Sequence, residues 1–163
     1  MELNKRRNFL KYSFLSSSVF VMHGCELFSV TTLHDTIAMV EHDLFPKAKN
    51  LNIKTASYIS IILHHKRISK DDKKFIKNGV KWLNEASVQM YKKTYVKLLV
   101  AQREAVLQKV VQTQWGESWI YAVMTYMFEA MLGDPIYGGN NDEAGWQWLD
   151  FQGGQPRPKK AYL

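Results

Sequence analysis

Acidic side chains concentrate near the C-terminal end of the chain, where they could support hydrolytic or metal chemistry. Asp134, Asp142, Glu143 and Asp150 lie in one short stretch. A glycosidase needs two carboxylates that flank the scissile bond, and a calcium loop needs oxygen ligands at fixed intervals. Neither spacing is present, and Asp134-Pro135 and Asn141-Asp142 are residue pairs typical of turns. The sequence therefore favours acids in turns over a catalytic carboxylate pair or a calcium site.

Histidine and cysteine also give little support for a bound metal or redox cofactor. His34, His42, His64 and His65 fall in predicted helices, but no H-E-x-x-H or similar zinc spacing occurs. The single Cys25 can neither form an internal disulfide nor hold an iron–sulfur cluster, and the c-type haem motif C-x-x-C-H is missing. We predict no metal ligand in this chain, and any cofactor bound through cysteines belongs to another chain.

The common nucleotide-binding and nucleophile motifs are missing as well. The chain has no G-x-G-x-x-G after a strand, no P-loop and no G-x-S-x-G elbow. Gly133 to Gly139 is rich in glycine, but it follows a helix and lacks the lysine or helix N-terminus that would hold a phosphate. We predict no catalytic and no cofactor-binding residue here.

Charge is distributed unevenly along the chain. The net charge is +7, and residues 47–109 hold 15 basic and 4 acidic residues, whereas residues 110–163 hold 3 and 6. A basic band can meet nucleic acid or anionic lipid, but lysines at helical spacing more often form a solvated face. We therefore predict no nucleic-acid partner. We also predict one domain, because 163 residues suit a single core.

Hydrophobic periodicity predicts a mainly α protein, a small bundle of four to five helices before a glycine- and aromatic-rich irregular segment. The first helix is predicted to begin at an N-cap, Thr32, with Asp35 three residues later, and to end before Pro46. The second is predicted from about Lys54 to Arg67.

The later helices carry clearer signals. Ser69, with Asp72 three residues later, is predicted to cap the third helix, in which Gly79 indicates close helix packing. The fourth helix is predicted to be interrupted at Gly116, and the fifth to begin after Ser118. The fifth has a core face formed by Trp119, Ile120, Val123, Met124, Met127, Phe128, Met131 and Leu132. We predict a signal or anchor segment at 1–24, a helical domain at 25–132, and a loop and tail at 133–163.

The stretch from Gly133 to Gln155 is predicted to be an ordered loop. It holds six of the nine glycines and two of the five tryptophans, which disfavours a regular helix or a long buried strand. Its aromatic groups need a surface to cover or to be covered by. Gly138-Gly139-Asn140 and Gly153-Gly154 are predicted to supply positive-φ positions. The tail that follows, Pro156 to Lys160, is predicted to be extended and mobile, or ordered only by a partner.

The same loop carries a resemblance to a known family. Residues 134–140 have the sequence DPIYGGN, Gly145-Trp146 follows after a short spacer, and Phe151 and Gly153-Gly154 come next. This pattern resembles the C-terminal signature of the small subunit of gluconate 2-dehydrogenase, called subunit 3 or gamma. The chain departs from that signature at Gln152-Gly153, where the family usually has Pro-Gly, and at Asp150, where a small residue is common.

The resemblance implies a function. In that family a large flavoprotein subunit holds FAD and oxidises D-gluconate to 2-dehydro-D-gluconate at the periplasmic face, and electrons commonly pass to a cytochrome c subunit, which carries haem c, and to quinone. The small subunit supplies the export signal and holds the large subunit in its mature form. The resemblance therefore implies a non-catalytic accessory subunit with the FAD-containing large subunit as its partner. The partner-docking residues implied are Asp134, Pro135, Tyr137, Gly138, Gly139, Asn140, Gly145, Trp146, Trp148 and Phe151, with the four aromatic residues as buried anchors.

The N-terminus resembles an export signal. Arg6, Arg7, Phe9, Leu10 and Lys11 follow the twin-arginine (Tat) pattern R-R-x-F-L-K, and the apolar run Tyr12 to Met22 is too short and polar for a confident membrane span. We predict export by the Tat translocase to the periplasm, with association to the cytoplasmic membrane. A Tat signal on a chain without a visible cofactor indicates that the chain leaves the cytoplasm attached to a cofactor-loaded partner.

Two points stay open at the level of sequence. Gly24-Cys25 is compatible with lipidation of Cys25, and an uncleaved anchor or another cleavage site is the alternative. The whole chain is also compatible with a free-standing exported helical lipoprotein whose aromatic loop binds a ligand or an envelope component.

Overall fold

Seven α-helices and no strand form the regular structure of residues 30–161, which are the residues that the computed structural model describes. The five longer helices are α1 (Val30–Leu44), α3 (Thr55–His64), α4 (Lys70–Tyr91), α5 (Val100–Val111) and α6 (Gln114–Leu132), and the two short ones are α2 (Lys47–Asn50) and α7 (Ala144–Trp148). Single 3₁₀ turns occur at Tyr95–Lys97, Pro135–Tyr137 and Asn141–Glu143. The mainly α prediction is confirmed.

The start of the first predicted helix and the end of the second differ from the structure. α1 begins at Val30, so Thr32 lies inside the helix and the prediction of Thr32 as its N-cap is wrong. α3 covers only Thr55–His64, because Lys54 has a non-helical backbone and His65 is extended. The prediction for α4 is confirmed, since the Ser69 side chain accepts a hydrogen bond from the Asp72 backbone N–H at 3.0 Å.

The boundary between α5 and α6 also differs from the prediction. Thr113 caps α6, and its hydroxyl oxygen accepts from the Gly116 backbone N–H at 3.1 Å. Gly116 therefore lies in the first turn of α6 and does not interrupt the preceding helix, and the start after Ser118 is wrong. A Cβ at residue 116 would overlap the backbone of Val110, so glycine is needed here for close approach to the end of α5.

The main core forms where α4 and α6 meet. The Trp119 ring is fully buried against Gly79, and its indole N–H donates to the Ile76 carbonyl at 3.1 Å. A Cβ at residue 79 would overlap this ring, which confirms the predicted close packing. The buried members of this core are Ile37, Val40, Ala56, Ile59, Ile76, Val80, Leu83, Tyr95, Leu98, Val106, Val110, Trp119, Ile120 and Val123.

A second core lies towards the C-terminal end of α6. Met131 and Ala130 pack there with Tyr58 and Ile62 of α3. The predicted core face of α6 is confirmed for most of its length, but Phe128 is 38% exposed and Leu132 is 43% exposed. The row from Trp119 to Met131 therefore stays buried, whereas the neighbouring row that begins at Ile120 becomes exposed towards the end of the helix.

The start of the chain is only partly described. Leu33–Leu163 forms one compact unit, and of the unit Met1–Thr32 only residues 30–32 are described. The predicted export residues Arg6, Arg7, Phe9, Leu10 and Lys11, and Cys25, lie outside the described residues. Within residues 30–161, no helix combines the length and the hydropathy that crossing a membrane requires.

Candidate partner interface

The C-terminal loop, residues 133–155, is attached to the end of α6 by one buried side chain. Asn140 is fully buried, and its amide donates to the Gly133 carbonyl at 3.1 Å. The oxygen of the same amide accepts from the Gly145 backbone N–H at 2.8 Å. Asn140 therefore fixes the first and the second half of the loop to each other. The Gly139 carbonyl accepts from the Lys54 N–H at 3.1 Å, which links the loop to the start of α3.

Glycine is needed in this loop mainly for close packing. Among residues 30–161, Gly138 is the one glycine with a positive φ, at 74°. The prediction of positive φ is therefore wrong at Gly139, Asn140, Gly153 and Gly154. A Cβ at Gly139 would lie 2.7 Å from Ala130, and one at Gly145 would overlap the Met131 carbonyl oxygen. These two glycines let the loop backbone lie directly on α6.

Trp146 is the internal anchor of the loop. Its side chain is 6% exposed, and its indole N–H donates to the Leu132 carbonyl at 2.6 Å, which satisfies a carbonyl at the end of α6. Phe151 packs on the ring edge-on, with 5.5 Å between ring centroids, and a Cβ at Gly153 would lie 2.7 Å from the ring atom Cη2. The loop therefore folds around Trp146.

The tail after the loop is ordered by contacts within this chain. The Arg157 guanidinium donates to Asp134 at 2.8 Å and to Glu143 at 2.9 Å, and its carbon lies 4.5 Å from the centroid of the Trp146 ring. The prediction of a mobile tail, or of one ordered only by a partner, is therefore wrong at Arg157. The reason is that a guanidinium can pair with two carboxylates while it stacks on an indole.

The carboxylates of the loop have structural partners or turn geometry. Asp134 caps the 3₁₀ turn Pro135–Tyr137 by accepting from the Ile136 N–H at 3.0 Å. The Arg157 guanidinium, followed by this hydrogen bond, lowers the pKa of Asp134 below its ordinary value. Asp142 and Asp150 both have φ of 54°, in the left-handed region that turns use. No group of three or more His, Cys, Asp or Glu in residues 30–161 could hold a metal ion.

A tyrosine, a carboxylate and a guanidinium meet elsewhere in the molecule, between α1 and α5. Asp43 accepts from the Tyr95 hydroxyl at 2.7 Å and from two nitrogens of Arg103 at 2.7 and 3.0 Å. Burial, and then the hydrogen bond to Asp43, raises the pKa of Tyr95. Both carboxylate oxygens are occupied and Tyr95 is fully buried, so this cluster joins helices and has no free group for catalysis. The sequence carries no local signal for this cluster, because Tyr95 and Arg103 are 52 and 60 residues away from Asp43 in the chain.

An exposed apolar surface, here called the apolar patch, is formed by the end of α6 and the second half of the loop. Its members are five of the nine large hydrophobic side chains that are exposed in the described chain, namely Phe128 (38%), Leu132 (43%), Trp148 (43%), Leu149 (50%) and Phe151 (54%). Phe45 bridges two of them, with ring centroids 6.1 Å from Phe128 and 5.6 Å from Trp148. The patch joins the end of α6 to α7 and the residues that follow it.

The ten residues predicted for docking separate into three groups. Trp148 and Phe151 belong to the apolar patch, and Tyr137 is partly buried against the second core. The others form the frame of the loop, as Asn140, Gly145 and Trp146 are buried and Asp134, Pro135, Gly138 and Gly139 shape its first turn. Phe128, Leu132 and Leu149 were not predicted as docking residues. Phe128 and Leu132 could have been predicted from the sequence, because they lie in the last turns of the helix that leads directly into the glycine-rich stretch.

Comparison with known proteins gives one match. The family model described as Gluconate 2-dehydrogenase subunit 3 matches residues 29–154. This range includes all seven described helices and ends inside the C-terminal loop. No curated protein and no solved structure matches the chain.

Proposed function

The chain belongs to the gluconate 2-dehydrogenase subunit 3 family, and from this we propose that it is the small, non-catalytic subunit of a membrane-associated FAD-dependent dehydrogenase. In this proposal the large subunit binds FAD and oxidises D-gluconate to 2-dehydro-D-gluconate, and a third subunit with haem c accepts electrons. The small subunit escorts the large one through Tat export to the periplasm and stabilises it there.

The observation that carries the proposal is the apolar patch. Isolated hydrophobic residues on a surface are ordinary, but five large ones grouped at the end of α6 and around α7, three of them aromatic, are typical of a surface that another protein covers. The patch lies on residues that the family model covers. It therefore supports docking of another subunit on this side of the molecule.

The frame beneath the patch supports the same interpretation. Trp148, Leu149 and Phe151 lie two to five residues after Trp146, which is hydrogen-bonded to the end of α6. A partner that meets side chains on a fixed backbone spends less conformational entropy on binding. The loop therefore presents its aromatic groups in a defined arrangement before a partner arrives.

Two exposed leucines, one inside the patch and one outside it, give a direct test of the patch. Leu149 is 50% exposed within the patch, and Leu99 is 72% exposed before α5. The full chain, with a tag after its last residue, is isolated from membranes of its native host in mild detergent, and co-purifying protein and flavin absorbance are recorded. We expect Leu99→Glu to retain a stoichiometric flavoprotein, and Leu149→Glu to weaken its binding by roughly 100-fold, because a carboxylate would be buried without a partner.

Other results would count against the proposal in different ways. A flavoprotein that binds Leu149→Glu normally would exclude the apolar patch as the interface. A wild-type chain that is exported and stable without any flavoprotein would exclude the subunit function and favour the free-standing lipoprotein. Replacement of Arg6 and Arg7 by lysine tests the escort function, since the flavoprotein should then disappear from the periplasmic side.

A further inference from the structure

A row of lysines on α4 has no role in the proposed subunit interface. Lys70, Lys74, Lys77 and Lys81 follow each other at spacings of four, three and four, and all four are exposed. At 1.5 Å per residue and 100° per residue they form one straight line about 16 Å long, within about 60° of the helix circumference. We call this row the lysine face, and Lys66 and Arg67, just before α4, extend the positive charge.

The lysine face is poorly neutralised by its own protein. Lys81 has Glu85 at 3.7 Å, whereas Lys70, Lys74 and Lys77 form no ion pair with any described residue. Solvated helix faces usually alternate the two signs of charge, and like charges four residues apart repel each other. Lys70 and Lys74 form one such pair and Lys77 and Lys81 another. An anion bound from outside the protein would reduce the electrostatic repulsion between these lysines.

The lysine face and the apolar patch have opposite orientations. Gly79 contacts Trp119 where α4 meets α6, and Gly79 is nine residues after Lys70, which places it about 180° away on the helix. The row of lysines therefore points away from α6. Phe128 is nine residues after Trp119, so on α6 it points away from α4 by the same rule. A partner on the apolar patch leaves the lysine face free.

We propose that the lysine face binds the anionic headgroups of a phospholipid membrane and holds the subunit against the bilayer surface. Clusters of four or more basic residues on a helix bind anionic lipid through the negative surface potential, with no need for a shaped pocket. The lysine ammonium group is a compact charge that can pair with a phosphate from any direction, which suits the mobile headgroups of a fluid bilayer. Nucleic acid fits less well, because the row contains no aromatic side chain for base stacking and no arginine fork.

This lipid-binding surface rests on the membrane association in the proposed function, and a vesicle assay tests it without the flavoprotein. Full-length wild type, Lys74→Gln/Lys77→Gln and the control Lys47→Gln/Lys49→Gln are sedimented with vesicles of phosphatidylcholine alone or with added phosphatidylglycerol. The control removes the same charge from exposed positions of α2. All three proteins share the same N-terminal residues, so differences between them report the substituted lysines alone.

We expect the control to partition like the wild type onto phosphatidylglycerol vesicles, and Lys74→Gln/Lys77→Gln to partition about 20-fold more weakly at low salt. High salt should remove the difference between the variants. Equal partitioning of the two variants at low salt would overturn the proposal. So would a lysine-dependent preference for an oligonucleotide over the vesicles, which would identify a nucleic-acid surface. Loss of the flavoprotein from Lys74→Gln/Lys77→Gln in the co-purification would assign these lysines to the subunit interface and would also overturn the lipid proposal. The Leu149→Glu result tests the apolar patch separately.

Discussion

Arg157 lies over Trp146, with 4.5 Å between its guanidinium carbon and the centroid of the ring. The same guanidinium reaches Asp134 at the start of the C-terminal loop and Glu143 in its middle. One side chain from the tail therefore joins three points of the loop. Because both carboxylates and the arginine are partly exposed, solvent screens these ion pairs and their effect should be local.

Arg157→Ala should loosen the loop without unfolding the helices. We expect several-fold faster amide hydrogen exchange at Gly145 and Trp146, and unchanged protection in α4, since loops open locally with lower free energy than the core. Arg157→Lys should give an intermediate result, because lysine keeps the charge but loses the fork and the flat stacking surface. Exchange rates at Gly145 that match the wild type in both variants would contradict this function of Arg157.

Acid should loosen the same loop. The pKa of Asp134 is lowered in the folded chain from an ordinary 3.8, chiefly by its hydrogen bond from Arg157. Its contribution to stability is therefore complete above pH 3.8 and is lost as the pH falls through the lower folded value. We expect hydrogen exchange in residues 133–146 of the wild type to accelerate as the pH falls through the folded pKa of Asp134. In Arg157→Ala this acceleration should be much smaller, because the main cause of the shift is gone.

Asn140 should be essential for the loop. Asn140→Ala leaves the Gly133 carbonyl and the Gly145 N–H without their partner in a buried position, and each unpaired group costs about 1–3 kcal/mol. Asn140→Asp keeps the acceptor for Gly145 but sets a carboxylate against the Gly133 carbonyl. We expect both variants to lose roughly 2–4 kcal/mol in urea unfolding. Asn141→Ala, at the neighbouring and less buried position, is the control and should change little.

The sequence predicted what depends on local chemistry. Ser69 as a cap and Gly79 as a packing position were correct, because a cap bonds three residues ahead and a helix interior tolerates glycine only for a reason. The same kind of signal was misleading at α1, where Thr32 lies inside the helix, and the start of α6 was misplaced because its cap, Thr113, was not recognised. The contacts that shape the candidate interface were not predictable, since Arg157 meets Asp134 across 23 residues of irregular chain and periodicity carries no information there.

Gly79→Ala tests the main core. The added Cβ would overlap the Trp119 ring, which is fully buried and hydrogen-bonded to Ile76, so the ring cannot move without losing that bond. We expect a loss of about 1–3 kcal/mol, or more, in the free energy of unfolding. Gly154→Ala is the matched control, since nothing lies within 4 Å of its Cβ position, and it should be neutral. Equal melting temperatures for the two variants would show that the core yields more easily than this packing implies.

Glu41 connects α1 to the start of α3 from a buried position. Glu41 is 2% exposed, and its carboxylate accepts a hydrogen bond from the Thr55 hydroxyl at 2.6 Å. Burial raises the pKa of Glu41 above 4.5, although the bonds from the Thr55 side chain and backbone oppose the shift. The carboxyl is thus easier to accommodate protonated than charged.

The pH dependence of stability follows from the sign of that shift. The folded pKa of Glu41 is raised, so its contribution is fully present below pH 4.5 and is lost as the pH rises through the folded value. Glu41→Gln keeps an acceptor for Thr55 and removes the buried charge. We expect the variant to melt at a higher temperature than the wild type at pH 7, with the difference shrinking towards pH 4. A variant less stable than the wild type at pH 7 would mean that the start of α3 stabilises the carboxylate by more than its burial costs, because a helix N-terminus favours negative charge.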